Sequence, residues 1–300
     1  YDDAKNELHE LLKSAFQYRL VSDVPVGLFL SGGYDSTAVA AILQNQNTTK
    51  LKTFTIGFEE GNNEAPFAKK TADYLGKHHH EYTCTTKEAQ EIITTLPYYY
   101  DEPFADSSAI PTMLVSRFAK EYVTVALSAD AGDELFAGYH TYPDLLRKLK
   151  LINQIPGKFK QPFATIFSAI SSVIPITRPA LKHKLQGVSR ALNKDRFEEA
   201  RDLFKIAKCL PAEYTSRVFS FKADAISAEF ELDTNGFHHE IEVAMAIDYQ
   251  SYLQNDILTK VDRATMSVSL EGRDPLVDHR LLEFAAQIPF EYKYDGTSTK

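Results

Sequence analysis

Two short stretches of the sequence combine small residues with acidic side chains. Residues 31–37 read SGGYDST, and residues 128–134 read SADAGDE. In the first stretch, two glycines allow a tight turn between an apolar run and a helical pattern. Such a turn directs several backbone N–H groups at one point, where the helix dipole favours an anion. The first stretch therefore predicts a phosphate-binding turn.

Asp35 adds a cation to this prediction. A carboxylate beside a phosphate is repulsive unless a divalent cation lies between them, and Mg²⁺ is usually held by one or two carboxylates together with substrate phosphates. The first stretch therefore indicates a Mg²⁺-nucleotide site that requires a second acid. The alternative is a plain strand-to-helix connection, because short glycine motifs also occur where nothing binds.

Hydrophobic patterning predicts the elements that position these residues. Residues 24–30 are almost continuously apolar, as in a strand buried on both faces of a parallel sheet. Helical patterns separate this run from further predicted strands at residues 51–58, 78–84 and 123–128. Strands that alternate with helices indicate right-handed βαβ units, whose ligands bind beyond the carboxyl ends of the strands.

The second acidic stretch follows the last of these strands, so we expect it to face the same crevice as the first. Asp133 is predicted to be the second Mg²⁺ ligand, opposite Asp35, and Asp130 lies one turn closer to the strand end. The alternative is a solvated helix start, where the helix dipole favours acidic residues without any ligand.

Composition narrows the class of protein. The 300 residues are enough for one large or two modest domains, and the net charge of -8 argues against a general nucleic-acid-binding surface. Cys84 and Cys209 provide no disulfide framework and suit a reducing compartment, so we expect a cytoplasmic protein. The most apolar segment, residues 162–176, is too short and too broken to span a membrane.

Four motifs in this chain resemble those of a known family. SGGYDST is similar to the SGGxDS (PP-loop) motif of the N-type ATP-pyrophosphatases. Residues 100–112 (YDEPFADSSAIPT), 128–139 (SADAGDELFAGY) and 258–284 (LTKVDRATMSVSLEGRDPLVDHRLLEF) resemble the synthetase domain of glutamine-hydrolysing asparagine synthetases. The similarity extends from about residue 21 to the end of the chain.

This resemblance implies an α/β fold in which helices flank a parallel sheet, followed by a mostly helical second half. We expect a single synthetase-like domain over residues 1–300. Its ATP-binding core would span about residues 21–139, and its helical part, about residues 140–300, would return to the core through residues 260–283.

The resemblance also implies a reaction. In that family the side-chain carboxylate of aspartate attacks the α-phosphorus of ATP, pyrophosphate leaves, and ammonia displaces AMP to give asparagine. The matching positions that would hold the pyrophosphate portion are Ser31, Gly32, Gly33, Asp35 and Ser36. The positions that would contact the nucleoside, mainly through backbone groups, are Leu30, Ile56, Ser128 and Ala129.

The remaining matches concern the metal and the reacting groups. Asp35 and Asp133 would bind Mg²⁺, which agrees with the reading of the two loops. Asp130 corresponds to an acid that acts on the incoming amine or organises the intermediate. Lys300 matches the lysine of a G-x-x-K segment and would place a cation on the phosphates; the alternative is a frayed terminal lysine.

Two alternatives to this reaction stay open. One is the same adenylation chemistry on another carboxylic acid, as in sugar uronate amidation or β-lactam synthetases, which would use the same ATP loop. The other is a nucleotide-binding scaffold domain without turnover. Its support is Ala129 and Ala131, which stand where glycines are common in the family and could crowd or tighten the second loop.

A further expectation concerns partners. The family normally begins with a glutaminase domain whose N-terminal cysteine releases ammonia, and no such domain precedes Tyr1. We therefore expect a chain truncated at both ends, with the glutaminase domain on the full-length protein. The substrates would be a small carboxylate and ammonia, with no nucleic acid or membrane partner, and a homodimer is compatible with the sequence.

Three weaker candidates have competing structural explanations. Residues 78–80 (HHH) with Cys84 could hold a metal, but strand alternation would point neighbours to opposite faces. Residues 101–108 could bind a substrate carboxylate or cap a helix. Arg273 could bind a carboxylate in bidentate fashion, or form an ion pair with Glu271 or Asp274.

Overall fold

The chain forms two compact units in a computed structural model, one made of Tyr1–Phe136 with Tyr249–Tyr292 and the other mainly of Ala137–Asp248. The structure describes residues 1–46, 51–59, 63–76, 78–102, 104–174, 179–192, 197–198, 200–201, 203–204, 232–233 and 235–296. Residues 31–37 and residues 128–134, the two stretches that combine small and acidic residues, both lie in the first unit.

A parallel sheet forms the centre of the first unit. Its strands within the described residues are β1 (Val26–Phe29), β2 (Lys52–Phe58), β3 (His78–Cys84), β4 (Val125–Leu127) and β5 (Glu271–Arg273). They lie in the order β3-β2-β1-β4-β5, and every neighbouring pair is parallel. The α/β fold with a parallel sheet is therefore confirmed. Because β1 and β4 are neighbours, the loops that follow them leave from the same edge of the sheet.

Along the chain, helices of the first unit precede, separate and follow strands β1–β4. They are α1 (Asp2–Leu20), α2 (Tyr34–Gln46), α3 (Ala65–Tyr74), α4 (Thr86–Ile93), α5 (Leu96–Tyr100), α6 (Ala109–Lys120) and α7 (Gly132–Phe136). The apolar stripe of α1 places Phe16 in the main core, where it joins Leu28 of β1 and Leu43 of α2, all fully buried. This packing holds β1 and the start of α2 in place around the first loop.

The second unit is helical in its described parts. It contains α8 (Thr141–Asn153), α9 (Gly157–Val173) and α10 (Pro179–Ala191). Tyr142 is fully buried and donates a hydrogen bond of 3.1 Å to Asp248. Among the described helices, none is both long and apolar enough to cross a membrane.

In residues 240–292, α-helices are followed by π-helical or 3₁₀ turns. Helix α11 (Glu240–Gln250) precedes a π-helical stretch (Leu253–Leu258), α12 (Thr259–Met266), a 3₁₀ turn (Pro275–Val277), α13 (His279–Gln287) and a 3₁₀ turn (Phe290–Tyr292). Residues 249–292 belong to the same compact unit as the first 136 residues.

Local side-chain contacts fix the start of α4. This helix begins at Thr86, because Thr85 and Glu88 form a capping box. The Thr85 N–H donates to Glu88 Oε2 at 2.8 Å, and the Glu88 N–H donates to Thr85 Oγ1 at 3.3 Å. The sequence pattern missed β5, whose three residues are only half-buried or exposed.

Candidate active site

The first loop, residues 30–36, is fixed by its own serines. The N–H of Ser31 donates to Ser36 Oγ at 3.2 Å, and the N–H of Gly33 donates to Ser31 Oγ at 3.2 Å. The two hydroxyls lie 3.0 Å apart. Ser36 is buried, whereas Ser31 and Gly33 are exposed. The loop is thus pre-formed, with an accessible tip at the N-terminus of α2.

Gly32 is required by both its conformation and its neighbours. Its φ of +80° lies in the left-handed region that favours glycine. A Cβ at this position would stand 2.7 Å from the backbone N of Ala68 and 2.8 Å from Cβ of Phe67, at the start of α3. Alanine would therefore force the loop and α3 apart.

Leu30 and Ile56, two of the predicted nucleoside contacts, differ in exposure. Leu30 is buried; its N–H donates to the Phe54 carbonyl at 2.9 Å, and its carbonyl accepts from the hydroxyl of Thr55. Its N–H is therefore used inside the sheet. Ile56 is half-buried and packs against the cluster that contains Met113 of α6.

The second loop, residues 128–133, joins β4 to α7. The N–H of Ser128 donates to the Arg273 carbonyl at 3.0 Å, which ties the ends of β4 and β5 together. The Ser128 hydroxyl donates to Asp130 Oδ2. Ser128 is buried, and Ala129 and Asp130 are partly exposed. Ala131, one of the two alanines that depart from the family pattern, has a φ of +83° and is buried.

The two loops contact each other at Asp35. A Cβ on Gly132 would stand 2.6 Å from Cγ and Oδ2 of Asp35 and 2.7 Å from its Oδ1. The carboxylate of Asp35 therefore packs directly against the backbone that precedes Asp133. The structure brings together the first acid and the loop that carries the second, at the shared edge of β1 and β4.

This arrangement suits a hard cation. Oxygen ligands from one or two carboxylates, completed by phosphate oxygens, are what Mg²⁺ takes in nucleotide sites. Asp35 and Asp133 would supply oxygen ligands of this kind, and the close approach at Gly132 leaves no room for a side chain between Asp35 and the second loop. The residues present therefore fit Mg²⁺ bound with a nucleotide.

Asp274 is a residue of this region that sequence reasoning did not assign to the site. It directly follows β5, and its Oδ1 is buried without a hydrogen-bond partner. Burial first, and then the charge of Asp130 and a hydrogen bond with it, raise the pKa of Asp274 to about 8. The signal that could have revealed it is an acid directly after a strand, but that strand, β5, went unrecognised.

Arg273 makes structural contacts with three other residues. Its Nε donates to Glu271 Oε1 at 2.7 Å, and its Nη1 donates to the carbonyls of Arg19 and Val21, both at 2.8 Å. Of the two ion-pair partners suggested by the sequence, Glu271 is the one observed. Arg273 thus fastens the end of α1 to β5.

Asp106 and Ser108, from the motif at residues 101–108, form a partly buried cluster with α12. The Nζ of Lys260 lies 3.0 Å from Asp106 Oδ2 and 2.8 Å from Ser108 Oγ, and Lys260 is buried. Burial alone would raise the pKa of Asp106, but hydrogen bonds from Ser108 and the Lys260 ammonium outweigh it and leave that pKa lowered. These groups join the start of α6 to α12.

The histidines of β3 point to different surroundings, as strand alternation predicts. His79 shares a hydrogen bond of 2.9 Å with Thr53, and His80 stacks on Phe54 with 5.2 Å between ring centroids. Across the described ranges, no group of three or more His, Cys, Asp or Glu side chains is arranged to hold a metal. Lys300, the remaining candidate, lies outside the described residues.

Sequence comparison identifies known proteins that are similar to this chain. The chain is 31% identical to asparagine synthetase (glutamine-hydrolysing) 1 of Bacillus subtilis strain 168, over 100% of this chain and 46% of that protein. It is 35% identical to putative asparagine synthetase (glutamine-hydrolysing) 2 of Methanocaldococcus jannaschii, over 89% of this chain and 50% of that protein.

A third relative, the putative asparagine synthetase (glutamine-hydrolysing) of Mycobacterium tuberculosis, is 32% identical over 98% of this chain and 44% of its own length. The chain thus spans about half the length of the curated relatives it matches. The family model described as asparagine synthase matches residues 7–300. Together with the paired loops of the parallel sheet, this match means that the chain belongs to the asparagine synthase family.

Proposed function

We propose that this chain is the synthetase part of an ATP-dependent amide-forming enzyme. It activates the side-chain carboxylate of aspartate with ATP, releases pyrophosphate, and then lets ammonia displace AMP to give asparagine. The observation that carries this proposal is the packing of Asp35 against Gly132, which unites a phosphate-binding turn with a second acidic loop. ATP is the co-substrate, and Mg²⁺ is the metal that the two acids would hold.

The first step requires the phosphates to be held while a carboxylate oxygen attacks. A bond forms between that oxygen and the α-phosphorus, and the bond to the leaving pyrophosphate breaks with its electron pair. Ser31, Gly32, Gly33 and Ser36 lie at the N-terminus of α2, where Ser31 and Gly33 are exposed. They are suited to bind that pyrophosphate through the serine hydroxyls and the positive end of the α2 dipole. Bound Mg²⁺ would supply charge neutralisation. Positioning and electrostatics then account for most of the acceleration.

The second step requires a base near the incoming amine. The ammonia nitrogen forms a bond to the acyl carbon, AMP leaves with the electron pair of the C–O bond, and the nitrogen loses a proton. Asp130 is suited to accept this proton, because it lies two residues from Gly132, against which Asp35 packs. Leu30, Ile56, Ser128 and Ala129 remain the proposed nucleoside contacts, and Lys300 the proposed cation on the phosphates.

The organisation of the complete protein is also part of this proposal. The ATP-binding core would span about residues 21–139, and the helical part about residues 140–300. The relatives are named as glutamine-hydrolysing enzymes, and the chain matches about half of each. We therefore propose a glutaminase domain on the same full-length chain as the source of ammonia, in a cytoplasmic enzyme.

The experiment follows pyrophosphate release by the full-length protein with ATP, Mg²⁺ and ammonia. Aspartate is compared with a panel of uronic acids and with no added acid. Release that depends on aspartate, accompanied by asparagine, is the expected result. If pyrophosphate is released only with another acid, that acid and not aspartate is the substrate. If ATP binds but no acid promotes pyrophosphate release, the chain is a scaffold domain.

A further inference from the structure

The ends of β4 and β5 place two aspartates side by side. Leu127 of β4 pairs with Arg273 of β5 in the sheet register, so Ser128 and Asp274 begin the two adjoining loops. The hydrogen bond from the Ser128 N–H to the Arg273 carbonyl, 3.0 Å long, holds these two strand ends together. The second acidic loop and Asp274 are thus fixed relative to each other by the sheet.

Contacts at this point link both carboxyl groups to one hydroxyl. The Ser128 hydroxyl donates to Asp130 Oδ2. Asp274 lies within hydrogen-bonding reach of the Asp130 carboxyl and of the Ser128 hydroxyl, and its Oδ1 is sealed from solvent without a partner. Two carboxylates this close cannot both be ionised without a large repulsion, so one of them retains a proton.

The surrounding charges indicate which carboxyl group keeps the proton. Arg19, at the end of α1, is the cation whose charge lowers the pKa of Asp274, and the Ser128 hydrogen bond acts in the same direction. Burial and the negative charge of Asp130 outweigh them and raise that pKa to about 8. The neighbouring Arg273 is paired with Glu271. The Asp274 carboxyl group therefore keeps its proton near neutral pH.

We propose that Asp274 is a positioning residue for the amine step, donating a hydrogen bond that holds ionised Asp130 as the base that accepts the amine proton. This proposal rests on the proposed function of the chain. In the step, the C–N bond forms, AMP leaves with the C–O electron pair, and one proton passes from nitrogen to Asp130. Asp274 also lines a cavity of about 610 Å³ with Arg19 and Asp262.

The test separates the amine step from adenylation in the full-length protein. Hydroxylamine serves as the amine because it stays uncharged through the relevant pH range, and hydroxamate formation reports the step. Adenylation is followed separately as acid-dependent exchange of pyrophosphate into ATP. In Asp274→Ala, which removes the donor, hydroxamate formation should fall by about 10-fold or more relative to adenylation. Asp274→Asn, whose amide still donates, should restore most of that loss.

A pH profile distinguishes positioning from a merely structural role. In the unsubstituted protein, hydroxamate formation should decline as pH rises through about 8, where Asp274 loses its proton. Asp274→Asn should abolish this decline, because the amide does not titrate. A decline that persists in Asp274→Asn, or equal losses in both steps for Asp274→Ala, would overturn the proposal.

A direct titration keeps the proposal testable without activity. With ¹³C-labelled aspartate carboxyl groups, one aspartate should titrate near pH 8, and Asp130→Asn should move that titration to lower pH. If no aspartate titrates near that pH, the proton-sharing pair does not exist. If the protein shows no acid-dependent pyrophosphate exchange at all, the proposed function fails instead, and the titration still decides whether the pair is present.

Discussion

Each of the two loops at the edge of the sheet has a residue with a left-handed backbone conformation, but the residue type differs between them. The first loop uses Gly32 at φ +80°, and the second uses Ala131 at φ +83°. At Gly32, α3 blocks any Cβ, whereas the Ala131 methyl group is accommodated in the core cluster. At the left-handed position of each loop, contact demands glycine in the first loop, whereas only backbone conformation favours it in the second. The alanine costs about 1–2 kcal/mol of conformational free energy but preserves the turn.

The loops also differ in how they are held. Serine hydroxyls within the first loop stabilise it locally, through Ser31 and Ser36. The second loop depends on β5, through the Ser128–Arg273 hydrogen bond and the contact of Asp130 with Asp274. The first loop is therefore a self-contained turn, and the second is an assembly of two distant parts of the sequence.

The largest expected effect comes from the acid of the first loop. Asp35→Asn should lower pyrophosphate release with Mg²⁺-ATP on the order of 100-fold, because the site loses a charged ligand at the point where the loops meet. Asp73→Asn, at an exposed position of α3, is the matched control and should retain full release. Equal rates of pyrophosphate release for both variants would mean that Asp35 does not bind the metal.

A pair of glycine substitutions tests whether contact constrains the first loop. Gly32→Ala should destabilise the protein by about 2–4 kcal/mol, which combines a left-handed φ with a steric clash against α3. Gly33→Ala is the control, because its Cβ would meet only Ser31 Oγ at 3.3 Å. Denaturant unfolding measures both. If the two variants were equally stable, α3 would not be what demands glycine in this loop.

The dependence of the second loop on β5 should be visible in the pH dependence of stability. The pKa of Asp274 is raised to about 8 in the folded protein, so its favourable contribution is complete at low pH and is lost as pH rises toward and through that value. Asp274→Asn should therefore gain stability relative to the unsubstituted protein between about pH 5 and about pH 9. Urea unfolding at both pH values checks this, and an unchanged difference would contradict the raised pKa of Asp274.

The smallest effect is expected at the alanine of the second loop. Ala131→Gly should stabilise the protein by about 0.5–1 kcal/mol, since relief of the left-handed φ exceeds the entropy that glycine adds to the unfolded chain. Thermal or denaturant unfolding can resolve this difference. A loss of stability would mean that packing of the Ala131 methyl group outweighs its backbone strain.

The contrast between the loops also explains what could be predicted from the sequence. The first loop and strands β1–β4 carry local signals: apolar runs, glycines, and strand–helix alternation. The meeting of Asp35 with the second loop followed from the rule that ligands bind at the carboxyl ends of parallel strands. Strand β5 carries no such signal, because EGR becomes a strand only by pairing with β4.

Asp274 was missed for the same reason. Its role depends on a register between two segments separated by more than a hundred residues, and local pattern gives no access to such a register. The role of Arg273 was open in the sequence for a similar reason, since both Glu271 and Asp274 were within reach. The structure gives Arg273 contacts with Glu271 and with the carbonyls of Arg19 and Val21, and the last two lie more than 250 residues away in sequence.

Asp35 and Asp133 are proposed to bind one cation between them. Calorimetric binding of Mg²⁺-ATP to the full-length protein, to Asp35→Asn, to Asp133→Asn and to the double variant tests this most directly. A shared site predicts strong coupling: each single variant should lose most of the Mg²⁺-dependent affinity, and the double variant should lose little more. Losses that simply add in free energy would mean that the two acids act independently, and would contradict a shared metal site.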